Sequence, residues 1–319
     1  MIIALAGGVG GARLAVGLAA VLPPRRLAIV VNTGDDFEHL GLTICPDLDT
    51  VMYTLAGVND LSAGWGRAGE SWNFMETLGE LGGETWFRLG DRDLAVHVMR
   101  TLALRSGDPL SEVTRTLAAR FGLRHAILPM SETPVRTRVR TPRGELSFQD
   151  YFVRLRCRPR VNGFRFAGNG NATPPARLRK LLRTGAVEAV IVCPSNPYVS
   201  IAPILAVPEI GACIRRRNFP VVAVSPIVGR AAVKGPAAKM MRELGQESSA
   251  LGVVRHYGAL VDGWVIDRRD AHLAPAIEHE GKRVLVTDTM MTHRAKSVRL
   301  ARATLAFARA LAGKRRRPR

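Results

Sequence analysis

Cysteine is scarce in this chain, and its few copies lie far apart. Cys45, Cys157, Cys193 and Cys213 are the only four among 319 residues, and none forms a CxxC pair. That spacing argues against a zinc knuckle or a disulfide framework and for buried, reduced thiols. No apolar stretch reaches the roughly 18 residues that a membrane-spanning helix needs. The N-terminus, MIIALAGGVGGARLAV, has no basic residue ahead of its apolar stretch, and glycines interrupt it early. It reads as a strand and a turn, not a signal peptide. A cytoplasmic protein without a membrane partner is expected.

Acidic residues are also few, 27 Asp and Glu against 46 Lys and Arg, for a net charge of +19. So basic a chain raises the question of nucleic acid. The arginines, however, are spread along the whole sequence, and the one dense run is the tail KRRRPR at 314–319. Aromatics amount to 6% and do not alternate with a basic stripe, as base-stacking platforms require. Nucleic acid is therefore not the expected partner, whereas a basic surface attracts small polyanionic substrates equally well. The GK[ST] ending of a P-loop, the spacing of a dinucleotide fingerprint and a GxSxG elbow are all missing. Covalent catalysis by a serine or cysteine is not favoured.

What is present is a pattern of alternating strands and helices. At 47% hydrophobic and 23% charged residues, the chain can form one large domain with a sizeable core. IIALA (2–6), a glycine-rich turn, a helix over 13–21 and LAIVV (27–31) make a βαβ unit. Further buried strands are expected at 189–193, 221–226, 260–267 and 283–288. Helices are expected over 47–57, 91–105, 110–121, 174–184 and 293–312. The stretch 59–90, rich in Gly and Trp, is expected to pack over the site as helix and loop. VRTRVRT (135–141), PRG and a run ending in YFVRLRC (151–157) alternate apolar and basic residues, which predicts a β-hairpin within an insertion at about 125–170. The fold class is α/β, a three-layer α/β/α Rossmann-like parallel sheet with a smaller insertion and a basic tail at 313–319. In such sheets ligands bind at the C-terminal strand ends. The loops 7–11, 32–36, 194–200 and 225–229 should thus meet in one crevice.

Two motifs carry the chemistry. Gly7-Gly8-Val9-Gly10-Gly11 lies between a strand and a helix, where glycine lets backbone amides approach a phosphate at a helix N-terminus. Arg13, one turn on, can clamp that phosphate. Asn32-Thr33-Gly34-Asp35-Asp36 is followed by Cys45-Pro46-Asp47-Leu48-Asp49. Four carboxylates so close repel one another unless a cation sits among them. Oxygen ligands without sulfur suit Mg²⁺, which takes one or two carboxylates plus substrate phosphates. Two weaker signals are Gly90-Asp91-Arg92-Asp93 at a helix start and Pro194-Ser195-Asn196-Pro197 after a buried strand. Positioning and charge neutralisation are what phosphoryl transfer needs.

With these residues in view, the chain resembles the CofD/FbiA family, the 2-phospho-L-lactate transferases of coenzyme F420 biosynthesis. The likeness runs over most of the chain. It is strongest in GGVGGARL, VNTGDD, ICPDLDTVMYTLAG, WFRLGDRDLA, CPSNPYVSIAPILAVP, SPIVG and RHYGALVDGWVID. The resemblance implies transfer of a phosphorylated three-carbon acid from its guanosine diphosphate conjugate to the ribityl hydroxyl of FO, a deazaflavin. GMP would be released and Mg²⁺ required. The acid is phospholactate, phosphoenolpyruvate or phosphoglycerate. On that basis Asp36 and Asp49 are the expected metal ligands, and Asp36, Asp49 and Asp47 the catalytic carboxylates. Gly8, Val9, Gly10, Gly11 and Arg13 would hold the diphosphate, beside Asn32 and Thr33. Ser195 and Asn196 would contact the nucleotide, and Asp91 and Asp93 would line the FO side. The resemblance also implies a homodimer. The alternative is a non-catalytic regulator of a related family that binds nucleotide sugars through the same glycine-rich start.

Overall fold

The structure, a computed structural model, describes residues 1–62 and 64–315; most of the basic tail therefore lies outside the described residues. Seven parallel strands form the central sheet. They are β1 (Ile2–Ala6), β2 (Leu27–Val31), β3 (Ala126–Pro129), β4 (Ala189–Val192), β5 (Val221–Val224), β6 (Gly263–Asp267) and β7 (Arg283–Thr287). Their spatial order is β7-β6-β5-β4-β1-β2-β3. In register, Ile2 of β1 faces Leu27 on one side and Ala189 on the other.

The inner strands are continuous apolar runs because helices cover both faces. The alternation of β1 shows this: Ile3 and Leu5 enter one core, while Ile2, Ala4 and Ala6 enter the other. The second core is closed by α1 (Gly8–Val21) and the C-terminal helix Arg294–Arg315. The two helices cross so closely that a Cβ on Gly17 would collide with the carbonyl of Ser297. No single helix among the described residues is long and apolar enough to cross a membrane.

All six expected strands and all six expected helices occur within about three residues of their expected bounds, except that the first helix begins at Gly8, inside the glycine-rich turn. Two expectations change. Ala126–Pro129 belongs to the central sheet as its edge strand, beside β2, and not to the insertion. The inserted sheet is smaller, three antiparallel strands in which Arg136–Thr141 lies between Gly144–Ser147 and Gly163–Ala167. YFVRLRC is not a hairpin arm; Asp150–Arg154 forms a helical turn. The cause is helical spacing: Phe148 and Tyr151 are buried three residues apart, and Phe148 stacks on Phe152 at 5.3 Å. Of the cysteines, all free, Cys45 and Cys193 are buried, while Cys157 and Cys213 are half-buried.

The order of connection places the site. From β1 the chain moves outward to β2 and β3, then returns to β4 on the other side of β1. The loops after β1 and β4 therefore diverge, opening a crevice at their C-terminal ends.

Candidate active site

A cavity of about 600 Å³ opens at that crevice. One part is built from the loop after β1. Gly7 sits at the N-cap of α1 and donates its amide hydrogen to Ser195 Oγ at 3.1 Å; that hydroxyl donates back to the Gly7 carbonyl at 2.8 Å. Gly8, at φ +60°, donates its amide hydrogen to Asp47 Oδ1 at 2.7 Å. Of the first-turn amides without an intrahelical acceptor, these contacts leave those of Val9 and Gly10. Both residues line the cavity. They point the positive end of a helix at any anion bound there.

The remaining glycines serve packing. A Cβ on Gly10 would meet the Pro194 carbonyl, and one on Gly11 would lie 2.5 Å from Ser195 Oγ. Gly11 faces this contact and not the cavity. Ser195 lines the cavity, but both its hydrogen bonds hold the glycine loop. Asn196 lines it too; its Oδ1 accepts from the Tyr198 amide and its Nδ2 lies 3.4 Å from Met240 Sδ. Arg13 reaches across the mouth and donates to the Met291 carbonyl at 3.0 Å.

The carboxylates divide into three groups. α2 (Pro46–Ala56) carries Asp47 and Asp49 in its first turn, where acids are favoured. Asp47 faces the cavity and also accepts from Asn32 Nδ2 at 2.9 Å. Asn32 itself is buried outside the cavity; it further donates to the Val199 carbonyl and accepts from Gly34. It ties three loops together. Thr33 is likewise buried away from the cavity. Asp35 lines the wall, and its Oδ1 has no hydrogen-bond partner. Burial, then the Asp47 carboxylate, push Asp35 well above the ordinary carboxylate range. Burial lifts Asp47 to about 6.

Asp36 points elsewhere. It lines a smaller cavity of about 200 Å³ with Asp35, Arg136 and Arg138. Burial raises it to about 7 against the pull of Arg136. Asp49 lines the main cavity, but Arg100 takes both its oxygens, with Nη1 at 3.0 Å from Oδ2. Asp93 accepts from the Tyr53 hydroxyl at 2.5 Å and lies 3.5 Å from His97 Nε2. It too lines the cavity.

Asp91 does not. It accepts from Ser71, from the side chain and amide of Asn73, and from the Phe74 amide. It thereby caps the helix Asn73–Glu80. Of the two acids expected on the FO side, only Asp93 lines the cavity. Glu70 caps the helix that Asp91 begins, α3 (Asp91–Arg105), by accepting from the Arg92 and Asp93 amides.

Part of the cavity lining is aromatic. Trp86 and Phe87 face the cavity from one segment, Phe148 and Phe152 from the inserted one. Arg154 lies 4.4 Å over the Trp86 ring and bridges Glu84 and Asp150, joining the two segments. Aromatics are few in this sequence, yet they gather here. Asp35 stands in the Asn32–Asp36 motif and His97 one turn beyond Asp93, but the sequence assigned neither a role; Tyr53, Arg100 and these four aromatics are site residues that the motifs did not single out. The Trp-Phe pair at 86–87 was the available signal for the aromatics.

A sequence profile of the CofD family, 2-phospho-L-lactate transferase CofD, matches residues 2–306. The chain belongs to the CofD family. Its relatives bear this out over their full length. A protein of Streptomyces griseus named phosphoenolpyruvate transferase is 42% identical over 96% of this chain and 98% of its own. A 2-phospho-L-lactate transferase of Methanosarcina acetivorans is 40% identical over 94% of this chain and 96% of its own. The fold is shared with a UPF0052-family protein of Bacillus halodurans, at a TM-score of 0.60 and 13% identity, covering 95% of this chain and 98% of that one. This CofD-family chain is thus a transferase by family and a Rossmann-like α/β protein by fold.

Proposed function

We propose that this chain transfers a phosphorylated three-carbon acid from a guanosine diphosphate conjugate to the ribityl hydroxyl of FO, releasing GMP, in coenzyme F420 biosynthesis. The observation that carries this reading is the mixed lining of a single cavity. Free helix amides, carboxylates and four aromatic rings all face the same space. A diphosphate donor and a planar tricyclic acceptor need those two surfaces. The relatives' names favour two donor acids, and several at about 40% identity are phosphoenolpyruvate transferases. Phosphoenolpyruvate is therefore the donor acid we favour.

A divalent cation fits among the carboxylates. Asp35 keeps a buried oxygen without a partner there, and the Asp47 carboxylate adds to burial in raising its proton affinity. Asp35 and Asp47 would hold Mg²⁺, with Asp36 set back on the smaller cavity and Asp49 committed to Arg100. When bound, Mg²⁺ would neutralise charge on the transferring phosphoryl group. The chain's own residues supply the positioning. Val9 and Gly10 amides bind the diphosphate oxygens, and Arg13 flanks them. Trp86, Phe87, Phe148 and Phe152 stack on the deazaflavin so that its ribityl hydroxyl reaches the carboxylates. The hydroxyl oxygen forms the new bond to the acid's phosphorus, the bond from that phosphorus to GMP breaks, and the hydroxyl proton passes to a carboxylate of the cluster. The homodimer and a cytoplasmic location belong to this same proposal.

A donor panel tests it. Purified protein with Mg²⁺ and FO is given the guanosine diphosphate conjugates of phosphoenolpyruvate, phospholactate and phosphoglycerate, and the deazaflavin product is weighed by mass spectrometry. The phosphoenolpyruvate adduct should dominate. Failure to modify FO with any of the three would refute the reading.

A further inference from the structure

In the cavity wall, Asp49, Asp93 and His97 bring three ligand atoms within 4.8 Å of one another, all buried. Two carboxylates and an imidazole are a donor set for Mn²⁺ or Zn²⁺. Arg100 already sits in this cluster, almost fully buried. Its Nη1 donates to Asp49 Oδ2 at 3.0 Å and its Nη2 to Oδ1. The same Nη1 lies 3.2 Å from His97 Nδ1. A guanidinium has donors only, so Nδ1 must accept and the ring proton must reside on Nε2. That proton faces Asp93 Oδ1 at 3.5 Å, the oxygen that also accepts from Tyr53. Neither imidazole nitrogen is then open to a metal, and both Asp49 oxygens are taken.

We propose that the Arg100 guanidinium fills the cation position of the Asp49–Asp93–His97 cluster. The positive charge there is a fixed side chain, supplied by the helix that bears His97. The chain therefore binds one divalent ion, at Asp35 and Asp47, and none at Asp49, Asp93 and His97. The location of that first ion rests on the functional proposal above; the role of Arg100 does not.

Mn²⁺ titration of the full chain tests this, by calorimetry for stoichiometry and pulsed electron paramagnetic resonance for imidazole nitrogen. The wild type should show no nitrogen coupling. Arg100→Met should gain one further ion, with a nitrogen coupling that disappears in the Arg100→Met, His97→Ala double variant. A nitrogen coupling in the wild type that His97→Ala removes would overturn the proposal. So would a folded Arg100→Met protein that gains no ion. A wild type that binds no Mn²⁺, beside a variant that gains one, upholds Arg100 and contradicts the Asp35–Asp47 cation. If Arg100→Met does not fold, Arg100→Lys and the wild type decide: a His97 coupling in either overturns the proposal, and its absence from both upholds it.

Discussion

Gly8 donates its amide hydrogen to Oδ1 of Asp47 at 2.7 Å, across 39 residues of sequence. The glycine loop and the carboxylate cluster are therefore one piece. Asp47 also accepts from Asn32, so one side chain fixes the ends of β1, β2 and α2 relative to one another. Asp47→Asn leaves one acceptor oxygen for two donors, the Gly8 amide and Asn32 Nδ2, and should lower kcat/KM for the donor by about 10²-fold. Steady-state kinetics with varied donor checks this, and an unchanged kcat/KM would contradict it.

Asp35 and Asp36 are adjacent in sequence; both border the smaller cavity, but only Asp35 lines the main one. Asp35→Asn should reduce kcat by about 10²-fold or more and weaken Mn²⁺ binding. Asp36→Asn should reduce kcat by about 10-fold or less. Equal losses in the two variants would return the cation to Asp36.

The raised carboxylates also set a pH dependence. Asp36 and Asp47 move from an ordinary value of 3.8 to about 7 and about 6. The metal-free folded chain thus holds protons that the unfolded chain has lost. The stabilisation is present below pH 4 and disappears as pH rises through 6 to 7. Asp36→Asn should flatten that decline by about 1–4 kcal/mol. Denaturant titrations between pH 4 and 8 without metal measure it, and a decline of unchanged steepness would contradict the assignment.

In the aromatic part of the lining, Trp86 stands between Phe37, His39 and Phe87 and beneath Arg154. Trp86→Ala should raise KM for FO by about 10-fold and leave KM for the donor within about 2-fold, since stacking contributes about 1 kcal/mol per ring. A rise in donor KM instead would place the acceptor elsewhere.

Much of this arrangement was legible in the sequence. Strands such as LAIVV and AVIV are unambiguous because burial on both faces leaves no polar alternation. Gly8, Val9, Gly10, Arg13, Asp47, Asp49, Asp93, Ser195 and Asn196 do line one cavity. The errors share a cause, which is that direction is not written in composition. Asp35 and Asp36 look equivalent as a pair, yet they sit in a turn, closed by the Asp36 amide on the Thr33 carbonyl, that brings only Asp35 to the main cavity. Asp91 and Asp93 open one helix, and only the capping of Asn73–Glu80 separates their roles. Arg100 is one of many arginines until the fold buries it against Asp49. The aromatic wall joins residues 86–87 to 148–152, and no local pattern signals a contact at that separation.

The central claim is that one cavity holds a guanosine diphosphate donor and FO together for transfer. The most direct test follows both products at once: GMP by chromatography and modified deazaflavin by absorbance and mass, from purified protein, Mg²⁺, FO and the phosphoenolpyruvate conjugate. The account predicts the two in equal amounts, with no GMP formed when FO is omitted. Nucleotide bound tightly without GMP, or GMP released without modified FO, would contradict it.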